Sequence, residues 1–231
     1  MSATHARRLT LALAAAACLA SACRTAPRAV EAGVSSASDT LSAADRAAIA
    51  KARADSARYP YTVADIQFIT KMIGHHAQAI EMSRLAPTNA ARASVQTLAE
   101  RIINAQQDEI DTMQRWLADR QQPVPEARSD GMKMIMNGVE HVHLMPGMLT
   151  AEQLKQLDQA RGPEFDRLFL SFMIQHHRGA VSMVKELFDT YGAGQDLTVF
   201  KFASDVSVDQ VTEIERMQKM LAALTLGINL P

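Results

Sequence analysis

Histidine and methionine are the residues in this chain whose placement suggests chemistry. Six of the seven histidines fall in three close pairs, His75-His76, His141-His143 and His176-His177, and the seventh is His5. Methionine is as uneven. Met132, Met134, Met136, Met145 and Met148 crowd the stretch Gly131-Met-Lys-Met-Ile-Met-Asn-Gly-Val-Glu-His-Val-His-Leu-Met-Pro-Gly-Met148. Thioether sulfur is soft and favours Cu(I), whereas imidazole accepts Cu(II) or zinc, so the two together suit copper. The stretch joins Met-X-Met-X-Met to His-X-His and Met-X-X-Met, and Gly138, Pro146 and Gly147 give it the breaks of a flexible segment that can wrap its donors around one ion. The competing account is that these methionines are adaptable filler beneath a loop.

The His-His pairs pose a different problem. Neighbours on a helix point about 100° apart, so His75 and His76 do not face one ion together without strain. Met72 lies one helical turn before His75, and Met173 one turn before His176, close enough to ligate jointly. Met82 and Met183 lie about 10 Å along the axis from those histidines, by helix rise, and belong to a second site if to any. His76 and His177 extend the candidate set. These histidines can equally be buried neutral rings bonded to Glu109 or Gln106, and to Glu213 or Gln210 in the second pair. The two accounts are compatible, because a ligating imidazole usually has a carboxylate behind its outer nitrogen. A carboxylate-bridged di-iron centre requires Glu-X-X-His on two helices; Thr112 follows Glu109 at that spacing and Arg216 follows Glu213. No nucleophile or cofactor motif stands out, so the expectation is a binding protein, not an enzyme.

The elements that carry these residues repeat. Phe68, Met72, Ile73, His75, His76, Ala79 and Met82 recur as Phe169, Met173, Ile174, His176, His177, Ala180 and Met183, at a constant offset of 101. Gln106, Glu109, Ile110 and Met113 recur as Gln210, Glu213, Ile214 and Met217, with the offset grown to 104. The growth fits an insertion in the turn Tyr191-Gly-Ala-Gly-Gln195, where extra length costs little. Each unit therefore predicts a helix, a turn and a second helix. Phe68, Met72, His75, Ala79 and Met82 step by three and four, and Ile69, Ile73, His76 and Ile80 form the adjoining stripe, giving the wide apolar face of a bundle helix. Thr62 with Asp65, and Thr150 with Gln153, have the spacing of capping boxes. Pro87 and Asn89 break the first helix, Pro123 and Pro125 end the second near Arg120, Gly162 stops a short helix, and Pro163 suits the first turn of the next. The expected fold is all-α, a four-helix bundle of ferritin-like type made of two repeated hairpins with extra short helices. The expected organisation is a signal over 1–23, a flexible tether over 24–40, an N-terminal helix over 41–60, the first hairpin over 61–122, the Met/His-rich segment with a short helix over 123–162, and the second hairpin over 163–226.

The N-terminus predicts export. Arg7 and Arg8 precede an apolar run from Leu9, and small residues lead to Cys23, the pattern of a cleaved signal. The run is shorter than the roughly 20 apolar residues that span a bilayer. Leu19-Ala-Ser-Ala-Cys23 resembles a lipobox, in which the cysteine is acylated and anchors the mature chain to a membrane; Leu19 stands one position further from the cysteine than usual. Cleavage without lipid and acylation at Cys18 are the alternatives. An acylated Cys23 leaves no free thiol in the mature chain, so any metal must be held by His, Met or carboxylates. Loss of Arg7 and Arg8 moves the formal charge from -1 to -3, which gives no support to a nucleic-acid partner.

Met145-Pro-Gly-Met148-Leu-Thr150, Phe165-Asp-Arg-Leu-Phe-Leu170 and the two Met-Ile-X-His-His motifs resemble the bacterial exported proteins grouped as domain of unknown function three hundred and five. The likeness runs from about Tyr61 to Leu224. It implies a ferritin-like fold and, because some members are copper-binding proteins of the periplasm or cell exterior, copper sequestration or buffering through His and Met ligands. The rival expectation is a helical-bundle lipoprotein with a structural or interaction role, its histidines satisfied by hydrogen bonds.

Overall fold

The computed structural model describes residues 42–58, 60–89, 92–136 and 139–228. The expected signal and tether, with Cys23, lie outside them. Six helices follow in order: α1 (Ala43–Arg58), α2 (Val63–Arg84), α3 (Ala93–Asp119), α4 (Ala151–Gln159), α5 (Gly162–Asp189) and α6 (Leu197–Leu226). The fold is the expected all-α bundle. Helix α2 packs on α3, α5 packs on α6, and α2 crosses α5.

Local sequence sets the boundaries. Thr62 caps α2 with a reciprocal bond to Asp65, and Thr150 caps α4 in the same way with Gln153, each pair satisfying two backbone donors that a helix start leaves free. Pro163 occupies the first turn of α5. Asp196 caps α6, accepting from the backbone N–H groups of Thr198 and Val199. The same carboxylate accepts from Trp116 Nε1 at 3.2 Å and from Arg120 at 2.7 Å, pinning the end of α3 to the start of α6.

Two acidic residues at the same repeat offset tie each hairpin to the other's turn. Asp65, at the start of α2, accepts from the backbone N–H of Gly194 between α5 and α6. Asp166, at the start of α5, accepts from the backbone N–H of Arg92 before α3. Burial raises the carboxyl pKa of Asp166, against the lowering effect of Arg92.

Helices α2 and α5 run antiparallel. The beginning of α2 and the end of α5 line one groove, with Ala64, Phe68 and Lys71 facing Met183 and Leu187. The core accordingly divides into two apolar clusters. One contains Phe68, Met72, Ile73, Met183, Leu187 and Phe202; the other contains Met82, Leu98, Ile102, Phe165, Phe169 and Met173. The midpoint of the crossing, between them, falls at His75 and His176.

The segment expected to be a flexible wrap holds instead a β-hairpin, β1 (Met132–Met136) paired antiparallel with β2 (Val139–His143). The cause is visible in the residues. Met-Lys-Met-Ile-Met and Val-Glu-His-Val-His are rich in alternating and β-branched positions, and Asn137-Gly138 between them is a strong hairpin signal.

Candidate metal centre at the waist of the bundle

The antiparallel crossing brings the two His-His pairs together. The ring centroids of His75 and His176 lie 3.8 Å apart. His76 stands 6.4 Å from His75, and His177 stands 6.2 Å from His176. All four imidazoles are fully buried. The stripe that makes α2 and α5 good bundle helices is thus interrupted at its centre by a polar layer.

The outer pair of rings is held from behind. His76 Nε2–H donates to Glu109 at 2.7 Å, and His177 Nε2–H donates to Glu213 at 2.6 Å. Of the partners the sequence offered, the glutamates make the bonds. The buried side chain of Gln106 makes no hydrogen bond, and Gln210 Oε1 is unpartnered. The inner pair is held less. His75 Nε2–H donates to the carbonyl of Pro146 at 3.0 Å. His176 approaches the backbone of His75 without reaching hydrogen-bond geometry at either nitrogen.

Five ring nitrogens are therefore buried with no partner: Nδ1 of His75, His76, His176 and His177, and Nε2 of His176. Burial pushes the His75 pKa down to about 3, with His76 and His177 adding to the effect and the Pro146 bond opposing it. Burial also drives His176 well below its ordinary value, helped by the neighbouring histidines. Both inner rings are neutral at physiological pH, the form in which imidazole ligates a metal.

Thioethers flank the layer. Met72 and Met173, one turn before His75 and His176, are fully buried on opposite sides of the crossing, and each shares its cluster with the distant methionine of the other helix, Met183 and Met82 respectively. Met145 and Met148 are buried too, in the cluster of Met72. They arrive on a strap, residues 145–149, laid across the crossing. Gln78 accepts from the Leu149 N–H at 2.7 Å and donates to the carbonyls of Leu149 and Ser129. Gln175 donates to the Gly147 carbonyl. Two glycines make room. The Met145 methyl lies 3.3 Å from where a Gly74 Cβ would sit, and a Cβ on Gly179 would lie 1.9 Å from the Pro146 oxygen.

The residues of the Met/His-rich stretch are thus divided. Met145 and Met148 join the waist, while His143 is exposed on the hairpin. The strand register pairs Met132 with His143 and Met134 with His141. Opposed residues and alternate positions share a face of a hairpin, so Met132, Met134, Met136, His141 and His143 occupy positions on one face. As the side chains stand, no three of the His, Cys, Asp and Glu residues among those described converge as a preformed cage.

Fold and layer together define the class, an antiparallel pair of helical hairpins with a histidine layer at the waist. The chain belongs to the family named Domain of unknown function (DUF305), whose model matches residues 65–221. Among solved structures it is similar to a DUF305 protein of Streptomyces coelicolor, designated as an expected secreted protein, at 29% identity and a TM-score of 0.58, over 73% of this chain and 96% of that one. A DUF305 fragment from Deinococcus radiodurans matches at 26% identity and a TM-score of 0.58, over 71% of this chain and 98% of the fragment. CopM in its Cu(II)-bound form matches at 31% identity and a TM-score of 0.53, over 68% of this chain and 95% of CopM. CopM is also solved with Cu(I) bound. No curated protein matches the chain.

Proposed function

We propose that this protein sequesters copper, chiefly Cu(I), outside the cytoplasm, holding the ion without turnover. The observation that carries the reading is the waist layer, where five buried imidazole nitrogens lack partners beside the buried thioethers of Met72, Met173 and Met145. Nitrogen and sulfur donors of this kind, with no thiolate, suit copper better than zinc. Glu109 and Glu213, bonded to the outer nitrogens of His76 and His177, supply the carboxylate support that ligating histidines ordinarily have. The copper-bound forms of CopM, at about 30% identity, support the same cargo. His141, His143, Met132, Met134 and Met136 form a second, hairpin set of donors. Signal cleavage before Cys23 and its acylation tether the protein to a membrane on the periplasmic or cell-surface side, and the 101-residue offset reflects a duplicated hairpin.

The Glu–His bonds also favour a second reading, a purely structural polar layer that fixes the register of the bundle. His176→Phe separates the two, because His176 makes no hydrogen bond and the exchange leaves no partner stranded. Tag-free protein is titrated with Cu(I) against a competing chelator. Copper sequestration at the waist predicts an affinity reduced by about tenfold or more, the loss of one good ligand. Unchanged affinity overturns it.

A further inference from the structure

Between the start of α3 and the second half of α6 lies a groove of about 740 Å³. It exists because α3 packs chiefly on α2 and α6 chiefly on α5, leaving a gap between the outer helices. Its volume is that of a small-molecule site, roughly 300–1,000 Å³. Val95, Leu170, Met220, Ala223 and Leu224 provide apolar lining, and Arg92, Arg216 and Lys219 provide the cations.

The charge of the groove is one-sided. None of its lining residues is acidic, in a chain whose formal net charge is -1. Arg92 shares Asp166 at 3.7 Å, whereas Arg216 and Lys219, both exposed, have no acidic partner among the described residues. Ala93 and Ser94, the first residues of α3, also line it, but the Asp166 carboxylate already accepts from the Arg92 N–H at that helix start, so the unpaired positive charge of the groove is that of Arg216 and Lys219. Ile228, just past the end of α6, completes the apolar lining and is 52% exposed, and Leu226, the last residue of α6, is 70% exposed.

We propose that this groove binds an anionic lipid. The hydrocarbon chain lies on Leu170, Met220, Leu224 and Ile228, and the acidic headgroup meets Arg216 and Lys219. A hydrocarbon tail accounts for the apolar lining, and an acidic head accounts for cations left without carboxylates. The proposal is independent of the copper reading, since none of its residues belongs to the waist.

The test is calorimetric titration of the purified protein with lysophosphatidylglycerol below its micelle concentration, beside lysophosphatidylcholine and inorganic phosphate. One-to-one binding is expected, at least about tenfold weaker for the choline lipid, in line with the strength of charge-assisted contacts. Two variants should each lose about tenfold or more: R216E/K219E, which reverses exposed charges, and Thr97→Trp, which fills the groove from its exposed rim. Helical content measured by circular dichroism should be unchanged in both. The proposal is overturned by absence of binding, by equal binding of the choline lipid, by phosphate alone binding as well, or by wild-type affinity in either variant. Binding that appears only after residues 229–231 are removed would assign the groove to the chain's own end and overturn it as well.

Discussion

Acid should loosen this protein through His75, and His75→Gln should remove that part of the sensitivity. The ring is fully buried, and its pKa falls from 6.5 to about 3, chiefly through loss of solvation. The folded state therefore resists a proton that the unfolded chain accepts readily below pH 6.5. Stability rises with pH wherever the unfolded state binds more protons, so this contribution is full above pH 6.5 and is lost progressively as the pH falls towards 3. Each pH unit in that window costs about 1.4 kcal/mol. At pH 5, some 1.5 units below the unfolded value, the loss is about 2 kcal/mol, a substantial part of the 5–15 kcal/mol typical of a folded domain. His176 is shifted in the same direction and steepens the total. The raised carboxyls of Asp166 and Asp209 act in the opposite sense, gaining stability as they protonate, but they are common to both proteins and cancel. Glutamine can still donate to the Pro146 carbonyl and does not titrate. Urea unfolding of copper-free wild type and His75→Gln at pH 7.5 and pH 5 is the assay. The wild type should lose about 2 kcal/mol more than the variant between the two, roughly 1 M in the urea midpoint. Parallel losses would refute the claim that His75 is a buried neutral base.

Three further outcomes follow from the strap and the glutamates. Gly179→Ala places a methyl 1.9 Å from the Pro146 oxygen; the strap must lift, destabilising the fold by about 3 kcal/mol and exposing residues 123–150 to limited proteolysis. Gln78→Ala strips the bonds to the N–H and carbonyl of Leu149 and to Ser129, and thermal unfolding should report a loss of about 2 kcal/mol from the buried backbone groups left unpaired. Glu109→Gln and Glu213→Gln should each weaken Cu(I) affinity by about 10–100-fold in chelator competition, as loss of a carboxylate behind a ligating histidine does.

What the sequence made legible was local. The capping pairs Thr62–Asp65 and Thr150–Gln153 fix helix starts within a few residues, and Pro87, Pro123 and Pro163 mark ends and beginnings by chemistry that needs no distant partner. The hairpin was equally local, since the two-residue alternation of Met132–Met136 and the Asn137-Gly138 pair favour it without a distant partner, although the same methionines also read as sulfur donors. The strap had a subtler signal. Gln78 aligns with Gly179, and Gly74 with Gln175, so the motif departs from its own repeat at the positions that clamp or admit residues 145–149. Asp166, aligned with Asp65, was available from the same offset. The pairing of His75 with His176 was not legible, because it depends on an antiparallel crossing that no short stretch specifies. Nor was the exchange of methionines across it, by which Met82 lies in the cluster of Met173 and Met183 in that of Met72.

The same crossing makes the strongest argument for function. A buried donor or acceptor without a partner costs about 1–3 kcal/mol, and replacing buried polar groups by packed apolar ones is often neutral or stabilising. The apolar clusters on either side of the waist would join into a single core if His75 and His176 were leucine or phenylalanine. The layer is therefore a place where stability is given up, and His176, with neither nitrogen bonded, is where the register argument is weakest, since an unbonded ring specifies no partner. His176→Phe should accordingly leave copper-free stability unchanged or raised by up to about 2 kcal/mol while copper affinity falls. A structural histidine predicts the reverse pair of results, a less stable fold with copper binding intact, so unfolding midpoint and Cu(I) affinity measured on one variant decide between them.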